Sequence, residues 1–392
     1  MRRVKPAIVV IAIGLSIVPA GTADAQQSIG DVLSFLVTNR SIPTADFDRD
    51  EQAALATRDT IAKLLSLELA TLPSSSGGGF TYTMDPSLGT VIRSSDSFGP
   101  VYTERSLMAG RGQASFGMSY RTTMFESIDG RNLRDGTLVS TASILRGSPA
   151  PFDVETVSLR IRTDAMTLTG TVGITDRFDV TAGLPFIRLT LQGERLDTYR
   201  GTALLQATGS ASAAGVGDLV VRAKYNVVNG PSGMAVGAEV RLPTGKEEDL
   251  LGAGRASITP RVIGSYEYDR VGLHGEVGYS FLGVAESLGY AGAVTVVAAP
   301  RLTVIGEILG RRFESLGSLV ETTEPHPRLA GVDTIRLTSS GEPTHRIVLA
   351  TGVKWNVAST WLLSVNVLKP LTDVGLNATW VPSVTFDYWF GP

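Results

Sequence analysis

The chain has 392 residues, no cysteine, 43 glycines and a net charge of −3 at pH 7. The lack of cysteine excludes disulfide staples and a lipoprotein attachment site, and 35 basic against 38 acidic residues excludes the basic surface of a nucleic-acid binder. Past the N-terminus no apolar run is long enough for a membrane helix, so high glycine with moderate hydrophobicity points to many strands and tight turns.

Arg2, Arg3 and Lys5 form a basic start, and Ala7 to Val18 is a short apolar run. Ala23-Asp24-Ala25 supplies the small residues of a cleavage site, so residues 1–25 read as a signal peptide removed before Gln26. The run is too short to serve comfortably as a membrane anchor. Residues 26–100 differ from the rest. Ser28 to Thr38 is expected as a short helix with Ile29, Val32, Leu33 and Leu36 on one side. Asp50 to Ala70 is a stronger helix, capped by Asp48 or Asp50 and stopped by Pro73. Ser74 to Gly79 then reads as a flexible linker. The segment is expected as a periplasmic extension or as a plug within the lumen; a helix pair covering apolar surface accounts for it equally well.

Residues 101–392 read as strands, about 105–126, 155–174, 178–191, 215–228, 233–243, 256–268, 271–282, 290–299, 301–313, 344–356, 360–369 and 378–390. Short turns at 176–177, 229–232, 269–270, 299–300 and 358–359 alternate with longer segments at 127–154, 192–214, 244–255, 283–289, 314–343 and 370–377. Short periplasmic turns, longer external loops and an even strand number belong to bacterial outer-membrane barrels. The expected fold is therefore all-β: an antiparallel up-and-down transmembrane barrel of about twelve strands with a helical N-terminal segment, in the outer membrane of a Gram-negative cell.

Strand faces support this, because successive side chains point to opposite sides. Met234, Val236, Ala238, Val240 and Leu242 alternate with Glu239 and Arg241, and Leu219, Val221, Ala223, Tyr225 and Val227 alternate with Arg222, Lys224 and Asn226. A charge facing lipid at mid-membrane costs about 2–4 kcal/mol, so the charged face is expected to look inward. Strand 290–299 is too uniformly apolar to assign. Strands 155–174 and 178–191 change phase, which predicts bulges near Asp164 and after Pro185. Tyr225, Tyr268, Trp355, Trp361, Tyr388 and Phe390 fall near the short-turn ends and are expected to form the periplasmic aromatic girdle. In the last strand the even-numbered face meets lipid, Asp387 looks inward, and pairing with the first strand closes the barrel. Barrel-assembly machinery is the expected partner of this strand, although Gly391-Pro392 follow its final aromatic.

The expected lumen set is Arg222, Lys224, Glu239, Arg241, Arg261, Glu267, His274, Glu276, Glu307, Arg311, Arg346 and Lys354, with Asp387 beside it. One reading is a hydrated passage whose slight positive excess favours anionic solutes; the other is a set of ion pairs filling a narrow lumen. Catalysis is the poorer reading. His274 shares the lumen face with Glu276, His326 lies in a long external segment, and nothing in the spacing forces His345 against Asp333 or Glu342. Gly215-Val-Gly-Asp-Leu219 and Leu242-Pro-Thr-Gly-Lys246 lack the context of a phosphate loop and suit turns and bulges. No metal cluster and no cofactor are expected.

Gly215-Val-Gly-Asp-Leu219, Ala223-Lys-Tyr225 and Leu242-Pro-Thr-Gly245 resemble the outer-membrane transporter-like proteins of the meta-pathway phenol-degradation family. The resemblance covers roughly 170–392 and implies an exported barrel for uptake of aromatic or other hydrophobic compounds. It transfers no binding residue. The expected function is an outer-membrane channel or transporter for passive passage of small solutes, with 127–154 and 314–343 as its vestibule and outer-membrane lipid and a small solute as its partners. The rivals are a non-conducting structural barrel that displays its N-terminal helices to a periplasmic partner, and a barrel hydrolase.

Overall fold

A computed structural model describes residues 28–38, 47–70, 79, 81–85, 90–93, 95–230, 232–326 and 328–390. The expected signal peptide, Pro73, most of the 74–79 linker and Gly391-Pro392 lie outside these residues. Among the described residues no helix is long and apolar enough to cross a membrane. The crossing is made by strands.

Twelve strands form one closed antiparallel barrel: β1 Ala114–Phe125, β2 Asp153–Thr175, β3 Phe178–Tyr199, β4 Leu219–Val228, β5 Gly233–Leu242, β6 Ser257–Tyr268, β7 Val271–Leu282, β8 Ser287–Ala299, β9 Leu302–Phe313, β10 Thr344–Ala358, β11 Trp361–Pro370 and β12 Val381–Phe390. Each pairs with its sequence neighbours, and β12 returns to β1 with Phe390 opposite Ala114 and Ser383 opposite Arg121. Closure leaves no unpaired strand edge in lipid, where each orphaned backbone group is costly.

The first strand is shorter than expected. Residues 105–113 are irregular, with Gly110 and Gly112 at positive φ. Their backbone bonds go to the barrel wall and rim instead of to a ladder. The eighth strand, unassignable from its sequence, puts Leu288, Val294 and Val296 outward and Ser287, Ala293 and Thr295 inward.

The expected bulges near Asp164 and after Pro185 are absent. β2 and β3 pair residue for residue from Asp153–Tyr199 to Gly173–Asp179, through both sites. What changes is the surroundings of each face. On β2, Val157, Leu159, Ile161 and Ala165 point inward and are buried, whereas Arg160 and Arg162 on the opposite face are exposed. From Met166 to Ile174 the outward face becomes apolar, and this stretch matches the roughly 9–11 residues of a crossing strand. β3 repeats the exchange, from outward Arg188, Gln192 and Glu194 to outward Phe186 and Leu184. Below the boundary the outside is hydrocarbon and the inside polar; above it the outside is water and the inside an apolar core.

The strands therefore run far beyond the bilayer. β2 and β3 have 23 and 22 residues, leaving about a dozen each, or roughly 40 Å at the usual strand rise. Segment 192–214, expected as a loop, is strand throughout except at its tip: β3 reaches Tyr199, and Thr202–Val216 returns beside it before continuing as β4. Two register offsets occur along this return: Gln206 is an additional residue between Leu205 opposite Leu196 and Ala207 opposite Arg195, and a second lies beyond Val216. Gly183 faces Val220 and Phe186 faces Val216, so an additional residue is accommodated at Gly217-Asp218. The expected vestibule loops also hold strands, Leu138–Leu145, Leu319–Pro325 and Val332–Ser339, which extend the sheet from the upper part of β2. Alternating small and polar side chains hid them.

Two helices occupy the space inside this extension. α1 (Ile29–Val37) has Ser28 as its N-cap in a capping box with Asp31, and Thr38 as its C-cap. α2 spans Phe47–Ala70, so Asp48 and Asp50 lie inside the helix and neither is its cap. Ile29, Val32, Leu33 and Leu36 of α1 and Ile61, Leu64 and Leu65 of α2 form one core with Leu159, Ile161, Leu189, Leu191 and Leu337. α1 lies on a cross-strand glycine pair, Gly193 and Gly209. A Cβ at Gly193 would sit 2.7 Å from Leu36 Cδ1 and 2.8 Å from a Ser158 backbone oxygen. Arg195 donates to the Leu36 carbonyl at the helix C-terminus (3.5 Å), and burial pulls its guanidinium below its ordinary value. Replacing Gly193 with Val should push α1 off the sheet and cost about 2–4 kcal/mol, as core overpacking and backbone collisions do. Limited proteolysis should then cut the N-terminal segment, while the heat-dependent gel shift of the barrel persists.

Candidate functional site

Period-two alternation brings the sequence-selected charges to the lumen. Arg222 and Lys224 (β4), Glu239 and Arg241 (β5), Arg261 and Glu267 (β6), His274 and Glu276 (β7), Glu307 and Arg311 (β9), and Arg346 and Lys354 (β10) all fall on inward parity. Tyr225, Tyr268, Trp355, Trp361 and Phe390 are exposed on the outer face near the short-turn end, and the Trp361 and Tyr388 rings lie 4.8 Å apart, tilted by 50°. Asp387 is buried and inward.

The lumen charges separate into two tiers. The lower tier holds residues 95–109. Glu307 Oε1 and Oε2 accept from the backbone N–H groups of Val101 (2.7 Å), Tyr102 (3.2 and 3.1 Å) and Thr103 (2.7 Å). Lys354 Nζ donates to the carbonyls of Phe98 (3.2 Å) and Pro100 (2.5 Å). Lys224 donates to the carbonyls of Arg105 (3.0 Å) and Leu107 (3.1 Å) and pairs with Glu104 (3.3 Å). Glu267 accepts from Ser95 Oγ at 2.5 Å, and Asn226 Nδ2 donates to the Ser106 carbonyl at 2.7 Å. His274 contacts Ser265 Oγ and Thr295 Oγ1, which in turn bond Ser106 N and Ser97 Oγ. Hydrogen bonds to charged groups contribute about 1.5–3 kcal/mol each, so this irregular backbone is firmly seated.

The upper tier is an ion network around Glu239, which meets Arg222 and Arg261 at 2.7 Å and Arg241 at 3.8 Å. Arg261 also pairs with Glu276 (3.5 Å) and Arg222 with Glu104 (3.4 Å). Arg346 pairs with Glu68 at the end of α2 and donates to the Leu376 carbonyl (3.1 Å). At the level of this network lies a cavity of about 160 Å³ with Glu68 and Tyr102 among its lining residues. One wall carries Arg222, Glu239, Arg241, Arg261 and Glu276; the other carries Leu309, Val348, Leu368 and Val381. Leu309 opposes Val348, and Leu368 opposes Val381, across adjacent strands. Arg121, Arg311 and Arg346 also line it.

Several of these residues escaped sequence reading. Glu104, Tyr102 and Ser95 sit in the irregular segment, and Glu68 on a helix with no evident tie to the barrel. Arg121 carried a usable signal, its odd parity between outward Tyr120 and Thr122. The weighed catalytic pairs do not assemble. His345 Nε2 lies 2.7 Å from Tyr290 Oη, Asp333 pairs with Arg146 (3.0 Å), and His326 Nδ1 accepts from the backbone of Arg328 and Leu329.

The two glycine motifs meet in space. Asp218 Oδ1 accepts from Gly245 N (3.1 Å) and Oδ2 from Ala253 N (2.8 Å), while Thr244 Oγ1 donates to the Gly217 carbonyl (2.7 Å) and accepts from Leu219 N (2.9 Å). Any Cβ at Gly217 would stand 2.7 Å from Ile187 Cδ1 and 2.9 Å from Pro185 Cγ. The motifs thus tie loop 243–256 to the break between the external strand and β4.

Residues 135–294 match the family model described as "Putative MetA-pathway of phenol degradation". Among solved structures, the chain is similar to an outer membrane channel from Pseudomonas putida F1, with 12% identity and TM-score 0.45 over 71% of this chain and 96% of that one. It is also similar to a Pseudomonas aeruginosa FadL homologue, with 9% identity and TM-score 0.35 over 73% and 92%. A third likeness is to the CymD monoaromatic hydrocarbon channel, with 9% identity and TM-score 0.27 over 72% and 90%. No curated protein matches.

Replacing Glu239 with Gln should lower the unfolding temperature markedly, because it strands three arginines around a neutral group. Breaking a buried ion pair in this way costs about 3–5 kcal/mol, read as a drop in the temperature of the heat-dependent gel shift. Asp218→Ala should cost about 1–3 kcal/mol, the cost of unpaired backbone donors, and should expose loop 243–256 to protease.

Proposed function

We propose that the protein is an outer-membrane channel for passive passage of small solutes with apolar bodies, in which the N-terminal segment and residues 95–109 form a plug. The observation that carries this reading is the mid-lumen cavity, apolar on one side and charged on the other. A structural barrel has no need of a mid-lumen cavity with an apolar wall. The matched family model adds support for the solute class, since its description concerns degradation of phenol. Passage requires the plug to yield. Its anchors include polar bonds that water can replace, beside the small apolar contacts of Val101 and Tyr102 with Ile305, Leu368 and Val381 and of Met108 with Ala235 and Ile263. α1 and α2 above sit instead in one large apolar core, so the movement is assigned to residues 95–109.

The non-conducting reading also has an observation in its favour, because residues 95–109 fill the lower lumen. Planar-bilayer recordings separate the two. The wild-type chain should show small, infrequent openings. Combined Glu307→Gln and Lys354→Met substitutions, which release residues 98–103 from the wall, should raise conductance severalfold. A folded double variant that stays silent overturns the channel reading.

A further inference from the structure

We infer that the mid-lumen cavity is a binding site for one small organic carboxylate, an anionic head on a compact apolar body such as a single ring. The inference rests on the channel reading and narrows its solute class.

The charge inventory comes first. The cavity is lined by six arginines, Arg121, Arg222, Arg241, Arg261, Arg311 and Arg346, against three carboxylates, Glu68, Glu239 and Glu276. All three carboxylates are engaged: Glu239 by three arginines, Glu276 by Arg261 and Glu68 by Arg346. Arg121 and Arg311 have no ion pair or hydrogen bond among the described residues, and the recorded contact of Arg311 is with the Phe313 ring at 6.0 Å. Arg121 is itself 9% exposed. Arg311 stands directly across from Arg346 in the β9–β10 ladder, but Glu68 already neutralises Arg346, which leaves Arg311 as the open charge of that pair. A planar guanidinium presents the donor fork that a carboxylate accepts.

Placement supplies the second half. Arg311 on β9 and Arg121 on β1 flank the apolar wall of Leu309, Val348, Leu368 and Val381, carried by β9 to β12. A ligand with its charge on either arginine lays its body on that wall. The cavity of about 160 Å³ sets the size, since an apolar cavity of about 150 Å³ takes up benzene. A neutral hydrocarbon leaves the two guanidinium groups unmatched, and an inorganic anion leaves the wall uncovered.

Isothermal titration of the full-length protein in detergent with benzoate, benzyl alcohol and acetate tests the site. Benzoate should bind saturably and at least tenfold more tightly than either of the others. Equal binding of benzoate and benzyl alcohol, or of benzoate and acetate, overturns the proposal. Arg311→Gln should weaken benzoate at least tenfold and leave benzyl alcohol unchanged, whereas Arg311→Lys should keep most of the affinity. Leu368→Trp, which fills the wall without touching charge, should abolish benzoate binding, and the heat-dependent gel shift verifies that each variant is folded. Folded variants that all bind benzoate like the wild type overturn the site. Conductance without benzoate preference removes the site and leaves the channel; benzoate binding without conductance does the reverse.

Discussion

A strand in a bilayer must keep its outward side chains apolar and its backbone fully paired, and both demands end where the bilayer ends. β2 and β3 continue well past that boundary without a change of register, so the same inward and outward faces meet opposite media above and below. The outward face turns charged at Arg162 and Arg188, and the inward face turns apolar at Ala165 and Ile187. An apolar inner face in a water-exposed extension requires a cover, and α1 and α2 are that cover. Burial of Leu33, Leu36, Ile61 and Leu65, at about 1.5–3 kcal/mol per side chain, gives the external half an ordinary soluble core. The membrane half has only small apolar clusters, such as Val101 and Tyr102 against Ile305, Leu368 and Val381, and depends chiefly on closure and polar bonds.

The plug and the charged wall depend on each other in the same way. Glu307 and Lys354 are buried at 2% exposure each, and an isolated buried charge is expensive. Among the described residues neither has a close carboxylate–cation pair. Glu307 is satisfied by three successive backbone N–H groups, a nest of the kind that binds anions, and Lys354 by two carbonyls of the same segment. The irregular backbone of residues 98–103 supplies the partners that a regular strand would have committed to its neighbours. Displacing it therefore demands water in its place, so in the proposed channel conduction and hydration of the lumen are one event.

Much of the barrel was legible because alternation of side chains has a period of two wherever the medium is constant. Strand number, turn positions, inward Arg222, Glu239 and Arg261, and outward Tyr225 and Trp355 all follow from that. The expected bulges near Asp164 and Pro185 arose from the same rule applied across a change of medium: periodicity records which face is apolar, and not whether lipid or a helix lies against it. The strand from Thr202 to Val216 was illegible for a related reason. One face meets water and the other lies near α1, so small residues such as Gly209, Ala211 and Ala213 occupy it and no apolar alternation develops. Tyr102, Glu104 and Ser95 belong to backbone with no repeat at all, and only their partners on the wall were visible.

The family resemblance falls unevenly over the site. The matched stretch, residues 135–294, contains the motifs that knot Asp218 and Thr244 into loop 243–256 and the charged wall from Arg222 to Glu276. Arg121, Leu309, Arg311, Val348, Leu368 and Val381 all lie outside it. The glycine motifs serve a break in a strand, where Gly217 has no room for a Cβ and Asp218 gathers the donors of a loop. Those roles are scaffold roles, and they hold whatever passes through the lumen. In the proposed channel, the apolar wall and Arg121 and Arg311, which have no ion pair among the described residues, are where shape and charge would select the solute. Resemblance through the motifs thus speaks to how such a barrel is built, and the proposed choice of solute rests on strands β1 and β9 to β12 of this chain.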